Sequence, residues 1–120
     1  MSFNNTGVVF LQDKDFKNGK ILSKDKVFVM VQGSFCHYCT QAKPDFVTTS
    51  EKFKGKVVFA TIQTDGDESE KHLAKQLKKI TGEEMSGVPA YVLFNKGKFV
   101  SMYKGDRDVA SISKFLLSSV

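Results

Sequence analysis

The chain has 120 residues, 41% of them apolar, and a formal net charge of +5 from 18 basic and 13 acidic side chains. That length suits one compact domain, residues 1–120, and excludes two; a core of this size folds without covalent staples. The lysines are dispersed, with no run longer than Lys78-Lys79, so neither nucleic acid nor a membrane surface is expected as a partner.

No stretch approaches the roughly 20 apolar residues that cross a bilayer. The start, Met1-Ser2-Phe3-Asn4-Asn5-Thr6, lacks the basic-then-apolar order of a secretory leader. A reducing compartment, the cytoplasm, is the expected address, and the expected state is a monomer.

Gly7-Val8-Val9-Phe10-Leu11 reads as a first strand, and a short, poorly amphipathic helix is expected from Asp13 to about Ser23. Val27-Phe28-Val29-Met30-Val31 is apolar throughout, the pattern of a strand buried on both faces. Cys39, Ala42, Phe46 and Phe53 then fall on one face of a long helix. Pro44 lies inside that helix, where it is expected to kink it.

Val57 to Ile62 is the next buried strand. Asp67, three residues before Glu70, marks a helix start of the capping-box type. Leu73, Leu77 and Ile80 give that helix its apolar stripe, and Gly82 stands where a C-terminal glycine stops it. Two strands, Ala90 to Phe94 and Lys98 to Tyr103, flank the turn Asn95-Lys96-Gly97. The second mixes polar and apolar positions, as an edge strand does. Asp108 can cap a final helix carrying Val109, Ile112, Phe115 and Leu116. The order β-α-β-α-β-α-β-β-α predicts an α/β fold, a central mixed β-sheet flanked by helices on both faces.

Only two cysteines are present, and they form Cys36-His37-Tyr38-Cys39 between the central strand and the long helix. A bridge across three positions closes too small a loop to stabilise a fold, so a structural disulfide is a poor account of the pair. The first helical turn has unpaired N–H groups and the positive end of the macrodipole, which favour thiolate over thiol. Cys36 is therefore expected to be the exposed nucleophile, and Cys39 the shielded thiol that resolves its mixed disulfides.

Two other accounts are ordinary buried thiols, which need no such junction, and half of a zinc site. Zinc takes four ligands, and only His37 and His72 accompany the cysteines among the soft donors. His37 is forced beside the pair and His72 is far along the chain, so no metal and no other cofactor is expected. Asp65-Gly66-Asp67-Glu68 lacks the alternating ligands and distant glutamate of a calcium loop. Gly87-Val88-Pro89 precedes a strand, and from the residues alone Pro89 is either cis, laying loop backbone beside the dithiol, or an ordinary trans proline at a strand start.

A strand followed by Phe35-Cys36-His37-Tyr38-Cys39, Pro44, Val88-Pro89, Asn95-Lys96-Gly97 and Gly105 resembles thioredoxin and the catalytic domains of protein disulfide isomerase across nearly the whole chain. Tyr103-Lys104-Gly105-Asp106-Arg107 is most similar to the isomerase domains. The resemblance implies a thioredoxin fold with a cis Pro89 and with Val88 offering its backbone to an extended substrate beside Cys36. It implies a thiol–disulfide oxidoreductase that reduces, forms or isomerises protein disulfides, with a reductase or glutathione as electron donor or acceptor. Phe35, His37 and Tyr38 would join Val88 and Pro89 in contacting substrate.

The departures concern proton transfer. Thioredoxin and the isomerase domains place a buried acid six residues before the first cysteine, where this chain has Met30. The lysine that thioredoxin carries opposite corresponds to Thr61, so neither position holds an ionisable group to serve Cys39. Phe35 stands where thioredoxin has tryptophan, and the stretch from Asp65 to Gly87 is several residues longer than its thioredoxin counterpart.

His37, if protonated, would stabilise the Cys36 thiolate; the alternative is a ring that points into water. His72 is expected on the surface. Two further functions remain open. One is a binding module that kept the fold and holds a partner through Phe35, Tyr38 and Val88. The other is a glutaredoxin-like use of glutathione, suggested by Tyr38 before the second cysteine.

Overall fold

A computed structural model describes residues 3–83 and 87–119 of the chain. Seven strands and three helices follow one another: β1 (Val9–Phe10), β2 (Phe16–Lys17), β3 (Lys20–Ile21), β4 (Lys26–Gln32), α1 (His37–Lys52), β5 (Val57–Gln63), α2 (Glu68–Thr81), β6 (Ala90–Asn95), β7 (Lys98–Tyr103) and α3 (Val109–Ser118). The main sheet has the order β1-β5-β4-β6-β7. β4 lies at its centre, parallel to β5 and antiparallel to β6, and β6 and β7 form an antiparallel hairpin.

Alternation along β4 divides the core into two layers. Phe28 and Met30 face a layer with Phe46 of α1, Phe59, Tyr91, Leu93, and Ile112 and Leu116 of α3. Val27, Val29 and Val31 face the other, with Leu73 and Leu77 of α2, Ala60, Ile62, Val92 and Phe94. Phe28 is fully buried, with ring centroids of Phe46, Phe59, Tyr91, Tyr103 and Phe115 all between 5.5 and 6.2 Å from its own. The sheet is thus covered by α1 and α3 on one face and α2 on the other, the mixed α/β architecture expected.

One expected element is replaced. Instead of a helix from Asp13 to Ser23, a single 3-10 turn (Asp13–Asp15) leads into the small β2–β3 hairpin. Asn18 and Gly19 take φ of 53° and 75°, the left-handed pair a two-residue hairpin turn requires, and Asn-Gly is the sequence that best tolerates it. The hairpin buries Ile21 against the α2 layer. β1 is shorter than Gly7 to Leu11: two residues pair with β5 at the sheet edge, and Val8 and Leu11 turn inward.

The other boundaries follow the capping chemistry. The Asp67 side chain accepts from Glu70 N at 2.8 Å, and Asp67 N donates back to Glu70 Oε1 at 3.4 Å. Gly82 ends α2 in the left-handed conformation, its N–H on the Lys78 carbonyl. Asp108 caps α3 by accepting from Ser111 N at 3.3 Å. α1 runs through Pro44 as one helix, with the proline on its exposed side. Residues 84–86, within the stretch read as longer than in thioredoxin, lie outside the described residues.

Candidate active site

The end of β4 delivers the chain through Gly33-Ser34-Phe35 to Cys36, the N-cap residue of α1. Two hydrogen bonds fix the loop to the β5–α2 connection: Ser34 N donates to Asp65 Oδ1 at 3.0 Å, and the Ser34 hydroxyl donates to Asp65 Oδ2. The Ser34 hydroxyl and then its N–H hold the Asp65 carboxyl below the ordinary value of 3.8. Cys36 N donates to the Gly33 carbonyl at 3.2 Å, which closes the turn.

Cys36 and Cys39 are joined as a disulfide, with Cα atoms 5.2 Å apart. Cys36 Sγ accepts the backbone N–H of Cys39 at 3.0 Å, so the sulfur occupies the place that serine or aspartate oxygen takes at most helix starts. The first turn of α1 carries no acidic side chain, leaving the positive end of the helix dipole uncompensated at that sulfur. Cys36 is buried, rather than exposed as expected, keeping 8% of its surface accessible, and Cys39 keeps none. The Val88–Pro89 peptide bond is cis, and the Val88 carbonyl oxygen lies 3.6 Å from Cys36 Sγ.

Cys36, Cys39 and Val88 are thus brought together, with Pro89 half-buried beside them. The remaining candidates form an exposed rim. Phe35 is 74% exposed and folds its ring back over Gly33, where a side-chain carbon would meet it at 2.5 Å. His37 is exposed at the first helical position, 5.9 Å between its ring centroid and that of Tyr38, which is 64% exposed. His72 is a surface residue as expected, but its Nδ1 pairs with Asp13 at 2.9 Å and ties α2 to the 3-10 turn.

Beneath the dithiol, Met30 and Thr61 are fully buried and directly opposite in the β4–β5 ladder. The Thr61 hydroxyl donates to the Met30 carbonyl at 2.8 Å, and Gln32 Nε2 donates to that hydroxyl at 3.4 Å. Neither Met30 nor Thr61 is ionisable, as expected, and the polar groups between them are a neutral hydroxyl and the Gln32 amide. Gln32 Oε1 and the Tyr91 hydroxyl are buried with no hydrogen-bond partner among the described residues. Burial pushes the Tyr91 hydroxyl up to about 12. Neither residue stands out in the sequence, since both lie inside apolar strands. Among the described residues, no group of three or more His, Cys, Asp or Glu side chains converges to hold a metal, and no helix is long and apolar enough to cross a membrane.

The thioredoxin family profile matches residues 7–118. Thioredoxin-like protein 453L of Invertebrate iridescent virus 6 is 41% identical, over 76% of this chain and 78% of its own length. The chain belongs to the thioredoxin family. This thioredoxin-family protein superposes on the Trx4 domain of ERdj5 with a TM-score of 0.72 at 17% identity, covering 94% of this chain and 95% of that domain. On human ERp44 the TM-score is 0.74 at 20% identity, covering 92% of this chain but only 32% of the longer one. Both establish the fold. With its two cysteines paired at the head of α1, this member is a thiol–disulfide oxidoreductase.

Proposed function

We propose that the protein exchanges disulfides with protein substrates, Cys36 acting as nucleophile and Cys39 as resolving thiol. The observation that carries the assignment is the asymmetry of the pair: Cys36, with 8% of its surface exposed, supplies the capping sulfur, and Cys39 has none exposed. The Cys39 N–H and the unopposed dipole favour Cys36 as thiolate, the form that attacks.

The Cys36 thiolate attacks one sulfur of a substrate disulfide, forming a mixed disulfide and releasing the other sulfur as thiolate. Cys39 then loses its proton, attacks Cys36 Sγ and expels the second substrate sulfur. The substrate gains two electrons, and the Cys36–Cys39 disulfide is left for a reductase or glutathione to reduce. In the opposite direction the same steps form or shuffle disulfides.

The Val88 backbone, close to Cys36 Sγ, offers an edge for an extended substrate, with Pro89, Phe35, His37 and Tyr38 around it. Both cysteines belong to the redox pair, which fits work as a single monomeric unit in a reducing compartment such as the cytoplasm.

Cys39→Ser is expected to accumulate mixed disulfides with protein substrates, and Cys36→Ser to form none and to abolish disulfide reduction. Equal trapping by both variants would reverse or remove the assignment. One observation favours a second reading, a binding module with little turnover: Met30 and Thr61 supply no buried ionisable group near Cys39. Under that reading Cys36→Ser keeps the partner and the function.

A further inference from the structure

At the end of the sheet away from the dithiol, a groove of about 460 Å³ lies where the β2–β3 hairpin meets the turn between β6 and β7. β4 separates the two ends. It starts beside that turn, with Lys26 opposite Asn95, and runs seven residues, about 20 Å, to the loop that delivers Cys36.

Lys17, Lys20, Lys24 and Lys96 line the groove, all four exposed, and no carboxylate lines it. Among the described residues none of the four is in an ion pair. Of the acids nearby in the chain, Asp15 accepts from Gln12 N at 2.8 Å, and Asp25 lies outside the lining. Four unopposed ammoniums in one concavity focus positive potential there, beyond what a net charge of +5 spread over the surface would give.

Three observations independent of that charge mark the groove as built. Leu22 belongs to the same lining and is 64% exposed, a large aliphatic side chain left in water among the ammoniums. The walls are tied together, since Ile21 N donates to the Gly97 carbonyl at 3.0 Å and Leu22 N to the Asp15 carbonyl at 2.7 Å. The two turns that meet there also share one backbone form, with φ of 53° and 75° at Asn18-Gly19 and of 52° and 85° at Lys96-Gly97. Asparagine tolerates that left-handed conformation; lysine does not, so at residue 96 a charge stands where turn chemistry alone favours asparagine or glycine.

We infer that this groove docks an acidic segment of a partner protein, its carboxylates on the four lysines and an aliphatic side chain covering Leu22. Exposed ion pairs are individually weak, so the docking is reversible and salt-sensitive, and the focused charge speeds encounter. A polypeptide fits better than a nucleic acid. No aromatic ring lines the groove for bases to stack on, and a sugar–phosphate backbone has nothing apolar to cover Leu22. Because a strand's length separates the groove from Cys36, a docked partner leaves the dithiol accessible. The docking does not depend on which cysteine attacks.

The test is fluorescence anisotropy with the full chain and three labelled probes: a peptide of glutamates around one leucine, the same peptide with serine for leucine, and a single-stranded oligonucleotide of equal charge. The leucine peptide is expected to bind tightest, and to lose about ten-fold or more in affinity from low to high salt. Lys17→Gln/Lys20→Gln/Lys24→Gln/Lys96→Gln should weaken it by about ten-fold or more, whereas the same loss of charge at Lys52, Lys54, Lys56 and Lys75 should change it less than about three-fold. Leu22→Ala, at an exposed position, should abolish the preference for leucine over serine. Should the groove variant fail to fold by circular dichroism, Leu22→Ala decides alone. No binding at low salt, equal losses in the two lysine variants, a leucine preference that survives Leu22→Ala, or an oligonucleotide bound as tightly as the peptide overturns the docking site and leaves exchange at Cys36 standing.

Discussion

Replacing Tyr91 by phenylalanine deletes one buried oxygen and leaves the ring stacked on Phe28, 5.5 Å between centroids and 9° from parallel. The hydroxyl is buried without a partner among the described residues, so its removal at pH 7 is expected to stabilise the protein by about 1 kcal/mol, the desolvation of an unsatisfied group. The alkaline effect is larger. Burial raises the hydroxyl from 10.0 to about 12, with Arg107 the main opposing influence.

Between these values the unfolded chain releases the tyrosine proton and the folded chain keeps it, so stability falls as pH rises. The contribution is complete below pH 10 and gone above about 12. A shift of about two pH units is worth about 3 kcal/mol at 1.36 kcal/mol per unit. The variant has nothing to ionise at this site.

Urea unfolding of both proteins from pH 8 to 12, followed by far-ultraviolet circular dichroism, gives the difference at each pH. In that difference the lysines and alkaline attack on the disulfide cancel. The stability advantage of Tyr91→Phe should grow from about 1 to about 4 kcal/mol across the range. Parallel curves, with the absorbance titration of the two proteins differing by a group that ionises near 10.0 rather than about 12, would refute the buried hydroxyl.

Phe28→Ala empties the centre of a cluster of five aromatic neighbours and should cost about 3–5 kcal/mol, a large part of a typical domain's stability, read as a lowered urea midpoint. Asp65→Asn weakens the tie to Ser34. Because the folded carboxyl lies below 3.8, its contribution is present above that pH and lost as pH falls through the lowered value. The variant should therefore be less stable at pH 7, and its deficit should vanish in strong acid. Gly97→Ala meets both a φ of +85° and the Ile21 carbonyl oxygen 3.0 Å from the new carbon, whereas Gly55→Ala has nearly the same φ of +84° and open space. Both should lower the melting temperature by several degrees, the equivalent of about 1–2 kcal/mol, and Gly97→Ala by more.

The central strands, α2 and the last hairpin are legible because each carries one dominant signal: apolar runs at β4, β5 and β6, the Asp67–Glu70 box, and the Asn95-Lys96-Gly97 turn. The dithiol was legible because two cysteines three apart at a strand–helix junction have few other uses. The β2–β3 hairpin is not legible as strands, since each is two residues long and too short for a period. Only Asn18-Gly19 announced it. The Ser34–Asp65 tie and the Asp13–His72 pair join residues 31 and 59 positions apart, and nothing local encodes such partners. The orphan atoms of Gln32 and Tyr91 were hidden for a similar reason, because what a polar atom lacks depends on the whole fold around it.

The cap of α1 has a further consequence. At most helix starts the capping atom is a bystander, permanently present. Here the cap is the sulfur that reacts, so the N-terminal turn is fastened by a group whose charge and bonding change during each turnover. As thiolate it is a strong acceptor for the Cys39 N–H; once bonded to a substrate sulfur it is a weak one. The 3.0 Å contact is made here with Cys36 Sγ already bonded to Cys39 Sγ, so a covalently engaged sulfur still fastens the turn. The fastening is strongest for the attacking thiolate and persists, weakened, in the disulfide.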